Sequence, residues 1–316
     1  MVIQMIKLTL GAIVAILTAS FIGLNSPLTA GTVVILCLGK TRRSSLESTV
    51  IRTKSLAIAL LLASVVFIIF GFSVYTFCLF LAIFIPINLT LKLETGLVIG
   101  IVLSGHLLTR GTIDQAVIIN TISLFVIGVL IAFVANLYIP NLNKEIIQKQ
   151  REIERLFSSI LLQIATMLRG DLNFDSTAFD DIQNVITTAL VTAKIDNDNH
   201  LVNDRSYFVN YIQFRQLQLE ILKRLFDLAN KVDTELVQVE LIADLTVDIA
   251  ASVSEFGDGE RVIKKINMIK EDFRAMSLPT SRSEFENRAI LFQFLSEMSH
   301  LVELKRFFHA EHRTNR

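Results

Sequence analysis

The residues of this chain that could do chemistry are ionisable groups lying beside long apolar runs. In the first 140 residues these candidates are Lys7, Lys54, Lys92, Glu94, His106 and Arg110. Burying a charge in hydrocarbon is costly, so ionisable side chains among apolar segments tend to face a polar path or one another. We therefore interpret these residues as candidates for the path of a charged substrate. The alternative is that they lie at helix ends and reach out to lipid headgroups.

Two pairs among these candidates have an informative spacing. His106 and Arg110 are four residues apart, so a helix would present both on one face. A basic pair there would attract an anion or a carboxylate, and an ordinary membrane anchor is the alternative. Lys92 and Glu94 lie in NLTLKLETG, where alternating leucines would point both charges the same way in an extended segment. They could pair across a vestibule or simply end two helices.

The sequence lacks the usual signatures of catalysis and of cofactor binding. It has no Walker A loop, no Gly-x-Ser-x-Gly elbow and no His-Glu-x-x-His helix. His309 and His312 could share a metal, but only His300 or Glu303 offers a further ligand. The GDGE segment at 257–260 is interpreted as a turn between helices, because no strand precedes it. We expect no metal, no cofactor and no enzymatic activity.

Apolar runs must position the candidates, and they dominate the first half of the chain. They cover 5–24, 27–39, 55–72, 74–91, 95–109 and 115–139. A membrane-spanning helix needs about 20 residues, a length that the second and fifth runs do not reach. Those two could be tilted or re-entrant, and we predict six spans. Cys37 and Cys78 lie inside these runs and are predicted to be buried thiols. Gly96 and Gly100 could serve ordinary helix packing or a dimer face.

The zero net charge of the chain is an average of two unlike halves. Residues 1–140 hold eight basic and three acidic side chains, whereas residues 141–316 hold 22 and 27. No charge excess is available to neutralise phosphates, so nucleic acid is not an expected partner. Five basic residues fall in 40–54, which is predicted to be a cytoplasmic loop. With six spans, both termini are then expected in the cytoplasm.

After Pro140 the pattern becomes that of amphipathic helices. Ile146, Ile153, Ile160 and Met167 repeat every seven residues and predict a helix of about 25 residues that ends at Gly170. Further helices are predicted over 177–194, 204–230, 234–255, 260–276 and 283–309. The last is predicted to begin with a capping box from Ser283 to Glu286. The fold class is therefore all-α, with a six-span membrane domain over 1–140 and a cytoplasmic helical bundle over 141–316.

Four segments resemble one known family. They are KLTLGAIVAILTASFIGLNSPLTAG, LKLETGLVIGIVL, FVIGVLIAFVANLYIP and SEFENRAILFQFL. Together they resemble the bacterial aromatic acid exporter (fusaric-acid-resistance-like) family, of the Gram-positive type with a C-terminal helical domain. The resemblance implies six-span modules that form homodimers and carry out efflux of aromatic carboxylates. The family is also similar to plant malate-activated anion channels, which supplies a channel as the alternative.

The expected function is therefore ion-gradient-driven export of organic anions across the bacterial cell membrane. The expected partners are membrane lipid, a small organic anion and a second copy of the chain. Lys92 and Arg110 would attract the substrate carboxylate, and Glu94 or His106 would exchange protons. The rival functions are an anion channel and a membrane-anchored interaction or signalling protein.

Overall fold

The computed structural model describes residues 2–138, 142–171, 174–175, 177–200, 205–232, 237–253 and 259–313. All regular structure in these ranges is helical, with no strand, so the prediction of an all-α chain is confirmed. The α-helices are α1 Val2–Phe21, α2 Leu28–Cys37, α3 Arg42–Phe70, α4 Val74–Thr90, α5 Leu97–Arg110, α6 Gln115–Ala135, α7 Asn143–Leu168, α8 Ala178–Asn199, α9 Ser206–Ala229, α10 Val237–Ala251, α11 Gly259–Ala275 and α12 Arg282–Arg313.

The chain divides into two compact units. The first unit is Met1–Pro140 together with Asp198–Asn203, and the second unit is Asn141–Asn197 together with Asp204–Arg316. Helices α1 to α6 lie in the first unit. Each unit has buried apolar cores of its own.

Three helices of the first unit have the length and composition to cross a membrane. They contain the segments Ile3–Phe21, Arg42–Phe70 and Gln115–Ala135. Helices α2 and α4 are apolar but shorter, and α5 has 14 residues. Each of the six predicted apolar runs therefore carries a helix, and three of these helices reach spanning length.

The basic segment 40–54 is not the predicted loop, because α3 already begins at Arg42. Thr41 caps this helix: its hydroxyl accepts the Ser44 N–H at 3.2 Å, and the Ser44 hydroxyl accepts the Thr41 N–H at 3.1 Å. Arginine, lysine and serine carry only small penalties inside a helix, so the basic segment extends the apolar one. The 29 residues of α3 span about 43 Å, more than the roughly 30 Å of a hydrocarbon core.

Gly96 and Gly100 let α5 approach its neighbours closely. A Cβ atom added to Gly96 would collide with the Cβ of Ser55 on α3. One added to Gly100 would lie 2.5 Å from Cζ of Phe84 on α4 and 3.1 Å from the Cβ of Ala59 on α3. The spacing of Gly96 and Gly100 was consistent with helix packing within the chain or with a dimer face, and the structure shows packing within the chain.

The two cysteines differ in their surroundings. Cys37 is buried, as predicted, but Cys78 is exposed. Helix α4 buries Thr76, Phe80 and Phe84, which recur every four residues. Cys78 lies midway between the first two of these, so a helix turns it to the opposite face.

In the second unit, α7 has the predicted amphipathic character. Ile146, Ile153, Ile160 and Met167 are all buried. The helix ends at Leu168 and is followed by Gly170 with a left-handed φ of 95°, close to the predicted end. The seven-residue repeat therefore identified the buried face of this helix.

Two boundaries predicted for the helices after Pro140 are wrong. Helix α8 runs to Asn199, beyond the predicted end at residue 194. Helix α12 begins at Arg282, one residue before the predicted start, and its capping serine is Ser281, whose hydroxyl accepts the Glu284 N–H at 3.1 Å. The Glu284 carboxylate accepts the Thr280 N–H at 2.8 Å, and this bond holds the pKa of Glu284 below its usual range. Residues 257 and 258 of the predicted GDGE turn lie outside the described residues.

Candidate substrate path in the first unit

His106 on α5 contacts Thr29 on α2. The imidazole Nε2 lies 3.0 Å from the Thr29 hydroxyl, whereas Nδ1 is buried and has no hydrogen-bond partner in the described structure. Arg110 occupies the last turn of α5 and is exposed, a place where a cation interacts favourably with the helix dipole. The described bonds therefore join His106 to Thr29 and leave Arg110 at the surface.

At the same end of the first unit, the side-chain amide of Asn120 binds the backbone of Asn25. The Asn120 side-chain oxygen accepts the Asn25 N–H at 2.8 Å, and its nitrogen donates to the Asn25 carbonyl at 3.2 Å. These bonds hold the connection between α1 and α2 against α6, and Thr29 follows that connection closely in the chain. The pair therefore fixes the start of the helix that carries the partner of His106.

Lys92 and Glu94 lie in the connection between α4 and α5. Lys92 has a left-handed φ of 56°, and Glu94 begins a 3-10 turn over Glu94–Gly96. Both are exposed, and the ion pairs of the described residues do not join them. Their positions fit the interpretation that they end two helices. Lys54 is likewise exposed, on α3.

A polar cluster at the other end of the unit joins α1, α3 and α6. The Asn136 side-chain nitrogen donates to Ser45 Oγ at 2.5 Å and to the carbonyls of Gly39 and Thr41, each at 3.4 Å. Lys7 Nζ lies 3.5 Å from the Asn136 side-chain oxygen. Arg42 donates from Nε to the Asn136 carbonyl at 3.4 Å and from Nη2 to the Leu137 carbonyl at 2.6 Å.

Of this cluster, the sequence identified only Lys7 as a site candidate. Asn136 is almost fully buried, and the signal for it was an amide at the end of an apolar run. Arg42 counted only toward the basic loop. The sequence contains no indication that residues 7, 42 and 136 meet.

Other buried polar atoms of the first unit lack partners among the described residues. They are Ser55 Oγ on α3, Asn88 Oδ1 on α4 and Ser104 Oγ on α5. An unsatisfied polar group costs free energy in an apolar interior, so membrane proteins place such groups where they line a cavity or meet water. Water in a path through the unit would supply the hydrogen bonds that these atoms lack among the described residues.

The second unit contains a buried arginine beside a small cavity. The cavity measures about 20 Å³ and is lined by Arg215, Gln218, Ser252 and Lys305 among others. That volume suits about one water molecule and leaves no room for an aromatic ring. Among the described residues, no group of three or more His, Cys, Asp or Glu side chains could hold a metal. The side chains of His309 and His312 lie outside that description.

The fold and these clusters define an all-α membrane-type protein, with apolar helices of spanning length and polar side chains held between them. Its first half, residues 1–139, matches the family model described as "Aromatic acid exporter family member 1". Residues 143–306 match the model described as "Putative aromatic acid exporter C-terminal domain". The chain belongs to the aromatic acid exporter family, which confirms the resemblance noted in its sequence. This is a family of exporters and not of enzymes.

Two individual proteins are similar to the chain. It is 29% identical over 304 residues to the uncharacterized protein YqjA of Bacillus subtilis (strain 168), covering 96% of this chain and 94% of that protein. A solved structure, "Crystal structure of putative membrane protein from Clostridium difficile 630", covers 52% of this chain and 99% of its own. It has 21% identity and a TM-score of 0.47.

Proposed function

We propose that the protein is an integral membrane transporter that exports aromatic carboxylates or related organic anions. One observation within the family assignment carries the proposal. Of the eight cationic side chains in residues 2–138, Arg43 is the one that forms a described ion pair, with Glu47. Cations without carboxylate partners, on a unit built from apolar helices, favour an anionic substrate over a cationic or neutral one.

The proposal includes six spans in the bacterial cytoplasmic membrane, with both termini in the cytoplasm. Helices α2, α5 and α4 have 10, 14 and 17 residues and span about 15, 21 and 26 Å. They are shorter than a hydrocarbon core of about 30 Å, so their ends need to be buried by neighbouring helices or by a second copy of the chain. The residues over 1–140 then form the membrane domain, and those over 141–316 form a cytoplasmic helical bundle.

Within this topology, each candidate residue has a proposed role. Lys92 on the cytoplasmic side and Arg110 on the outer side draw the carboxylate toward the two mouths. His106 exchanges the proton that couples export to the ion gradient, because its Nδ1 already lies buried without a described partner. Glu94 is the alternative proton carrier. Lys54 and Lys7 add positive charge on the cytoplasmic side.

Flux in proteoliposomes tests the proposal. Purified protein should move 4-hydroxybenzoate against its gradient when a proton gradient is imposed, and neutral 4-hydroxybenzamide should not move. Lys92→Gln and Arg110→Gln should each slow the flux, while Arg43→Gln should not, because Glu47 already neutralises Arg43. No carboxylate flux at all would overturn the proposal. Normal flux in the Lys92 and Arg110 variants would overturn the roles of these residues.

Two rival functions give different results in the same preparation. An anion channel would show single-channel currents without proton coupling. A membrane-anchored interaction protein would show no flux. It would instead retain a specific cytosolic partner through the second unit, which has an extensive core of its own.

A further inference from the structure

Two positive charges of the first unit converge on one residue. Lys7 on α1 and Arg42 on α3 both contact Asn136, at 3.5 Å to its side-chain oxygen and 3.4 Å to its carbonyl. The Arg42 charge lies within electrostatic range of the Lys7 ammonium. Both cations are half-buried, whereas Asn136 and Ser45 beneath them are buried. Like charges held this close in a partly desolvated place repel each other, and an anion between them would relieve that repulsion.

Acidic residues of the segment 2–138 do not supply that anion, and the described ion pairs include neither Lys7 nor Arg42. In residues 2–138, Glu47 pairs with Arg43, and Asp114 accepts the Val117 N–H at the start of α6. Glu94 lies exposed in the connection between α4 and α5. Carbonyl and amide oxygens are therefore the described acceptors for Lys7 and Arg42.

Donors remain available on both cations. The Lys7 ammonium has three hydrogens and one described contact, which is long. Arg42 uses Nε and Nη2 on the carbonyls of Asn136 and Leu137, while its Nη1 makes no described hydrogen bond. A guanidinium edge with a neighbouring ammonium is a suitable arrangement for the two oxygens of a carboxylate.

Helix capping explains one of the two cations but not the other. A cation beside the C-terminal end of a helix is stabilising, and Arg42 lies there because it binds the carbonyls of Asn136 and Leu137, the two residues that follow α6. Lys7 reaches neither carbonyl, since its described contact is with the Asn136 side chain. The second charge therefore needs a further explanation.

We propose that Lys7 and Arg42 form a binding site for the carboxylate of an organic anion, with Asn136 as the residue that positions both cations. This site rests on the proposed export function and gives it an entry point: it lies at the end of the unit where α3 begins and α6 ends, the cytoplasmic side of the proposed topology. The substrate is captured there by its charge before its ring enters the apolar interior.

The test measures binding and export separately, on the full chain. The purified protein is placed in nanodiscs of zwitterionic lipid, and equilibrium dialysis gives its Kd for 4-hydroxybenzoate, with 4-hydroxybenzamide as the neutral probe. Lys7→Gln and Arg42→Gln should each weaken carboxylate binding by about tenfold or more, the usual effect of losing a hydrogen bond to a charged group. The parent should bind the neutral probe no better than these variants do.

Matched variants separate the site from general charge. Arg43→Gln removes the next cation along α3, one that is exposed and paired with Glu47, and should leave the Kd unchanged. Arg42→Lys keeps the charge but loses the planar fork, so it should retain part of the binding. If Arg42→Gln fails to fold because the carbonyls of Asn136 and Leu137 lose their donor, Lys7→Gln decides the question, since Lys7 binds neither carbonyl.

The outcomes are distinguishable. Weakened binding in Lys7→Gln together with an unchanged Kd in Arg43→Gln supports the site. An unchanged Kd in Lys7→Gln, in a parent that exports carboxylate, overturns the site and leaves the exporter. A parent that neither binds nor exports carboxylate overturns both. If anionic phosphatidylglycerol in the nanodisc abolishes carboxylate binding in the parent, the cations hold lipid phosphate and the substrate assignment is wrong.

Discussion

The guanidinium of Arg215 donates to the phenolic oxygen of Tyr211 at 2.9 Å inside the core of the second unit. Tyr211 in turn donates to the Glu154 carboxylate at 2.7 Å, and Arg215 Nη2 also forms an ion pair with this carboxylate at 3.4 Å. Arg215 is 2% exposed and also donates to Gln218 at 2.9 Å and to the Val253 carbonyl at 2.7 Å. These bonds connect α9 to α7 and to the chain following α10, which makes the network a structural joint of the unit.

Replacing Arg215 by methionine should strongly destabilise the second unit. The substitution leaves the Glu154 carboxylate without its guanidinium and the Val253 carbonyl without its donor. Breaking one side of a buried ion pair costs about 3–5 kcal/mol. Thermal unfolding of the purified full chain, followed by circular dichroism, should show the loss. The matched variant Arg274→Met removes an exposed partner of Glu271 and should change stability by less than about 1 kcal/mol. Equal losses of stability in Arg215→Met and Arg274→Met would show that the buried network stabilises the unit no more than an exposed ion pair does.

Tyr211 should make stability fall at high pH. Burial raises the pKa of Tyr211 far above the ordinary value of about 10, so the folded chain keeps this proton where the unfolded chain loses it. The unfolded state then binds fewer protons, and the free energy of unfolding falls as pH rises above about 10, by about 1.4 kcal/mol per pH unit. Tyr211→Phe removes this contribution. Its unfolding free energy should be lower at pH 8 but should fall less steeply above pH 10. Parallel curves for parent and variant would contradict the prediction.

Gly96→Ala should disturb the packing of α5 against α3. The new Cβ atom would collide with that of Ser55, and overpacking of this kind costs about 1–3 kcal/mol. Gly105 lies within α5, which Gly96 precedes, and has nothing within 4 Å of an added Cβ, so Gly105→Ala should be neutral or slightly stabilising. The temperature at which each variant leaves the monodisperse peak in size-exclusion chromatography measures the difference. A similar loss in both would mean that α5 is not held by this close contact.

Much of the helical architecture follows from hydrophobic periodicity. Each of the six apolar runs carries a helix, and Ile153 and Ile160 lie on the buried stripe of α7, because burial of one face is what the pattern records. Boundaries were less predictable. Ser281 and Ser283 each precede a glutamate by three residues, so either could cap α12. The structure uses Ser281, and the bond from the Thr280 N–H to the Glu284 carboxylate favours this choice. The basic content of 40–54 predicts a loop, but α3 begins at Arg42, because charge reports the solvent around a segment and not its backbone conformation.

The candidate site was less predictable, because it depends on residues that are far apart in the chain. Scarcity of charge in the apolar half pointed to Lys7 and His106. The only sequence signal for Asn136 is an amide near the end of an apolar run, and a neutral amide there does not by itself indicate a site. The bond between Asn136 and Ser45 joins residues 91 positions apart, and only packing of α6 against the start of α3 creates it.

Thr29→Val should alter the pH dependence of export. The Thr29 hydroxyl is the described partner of His106 Nε2, and valine has nearly the same shape without a hydrogen-bonding group. Losing the bond frees the imidazole to turn and changes which tautomer is favoured, so proton exchange at His106 should be disturbed. We expect export in proteoliposomes to slow by about threefold to tenfold, and its half-maximal pH to move.

Thr32→Val provides the control for this prediction, because Thr32 lies one turn further along α2 and its exposed hydroxyl bonds to the Leu28 carbonyl of its own helix. This variant should export with the rate and pH profile of the parent. If Thr29→Val also keeps the parent profile while His106→Gln abolishes export, His106 acts without its threonine partner. If Thr29→Val and His106→Gln both keep the export rate and pH profile of the parent, proton coupling does not pass through His106. Glu94 is then the residue to replace next. The distinction depends on a single hydroxyl group, and for that reason the two threonine variants are best compared in the same lipid at the same imposed gradient.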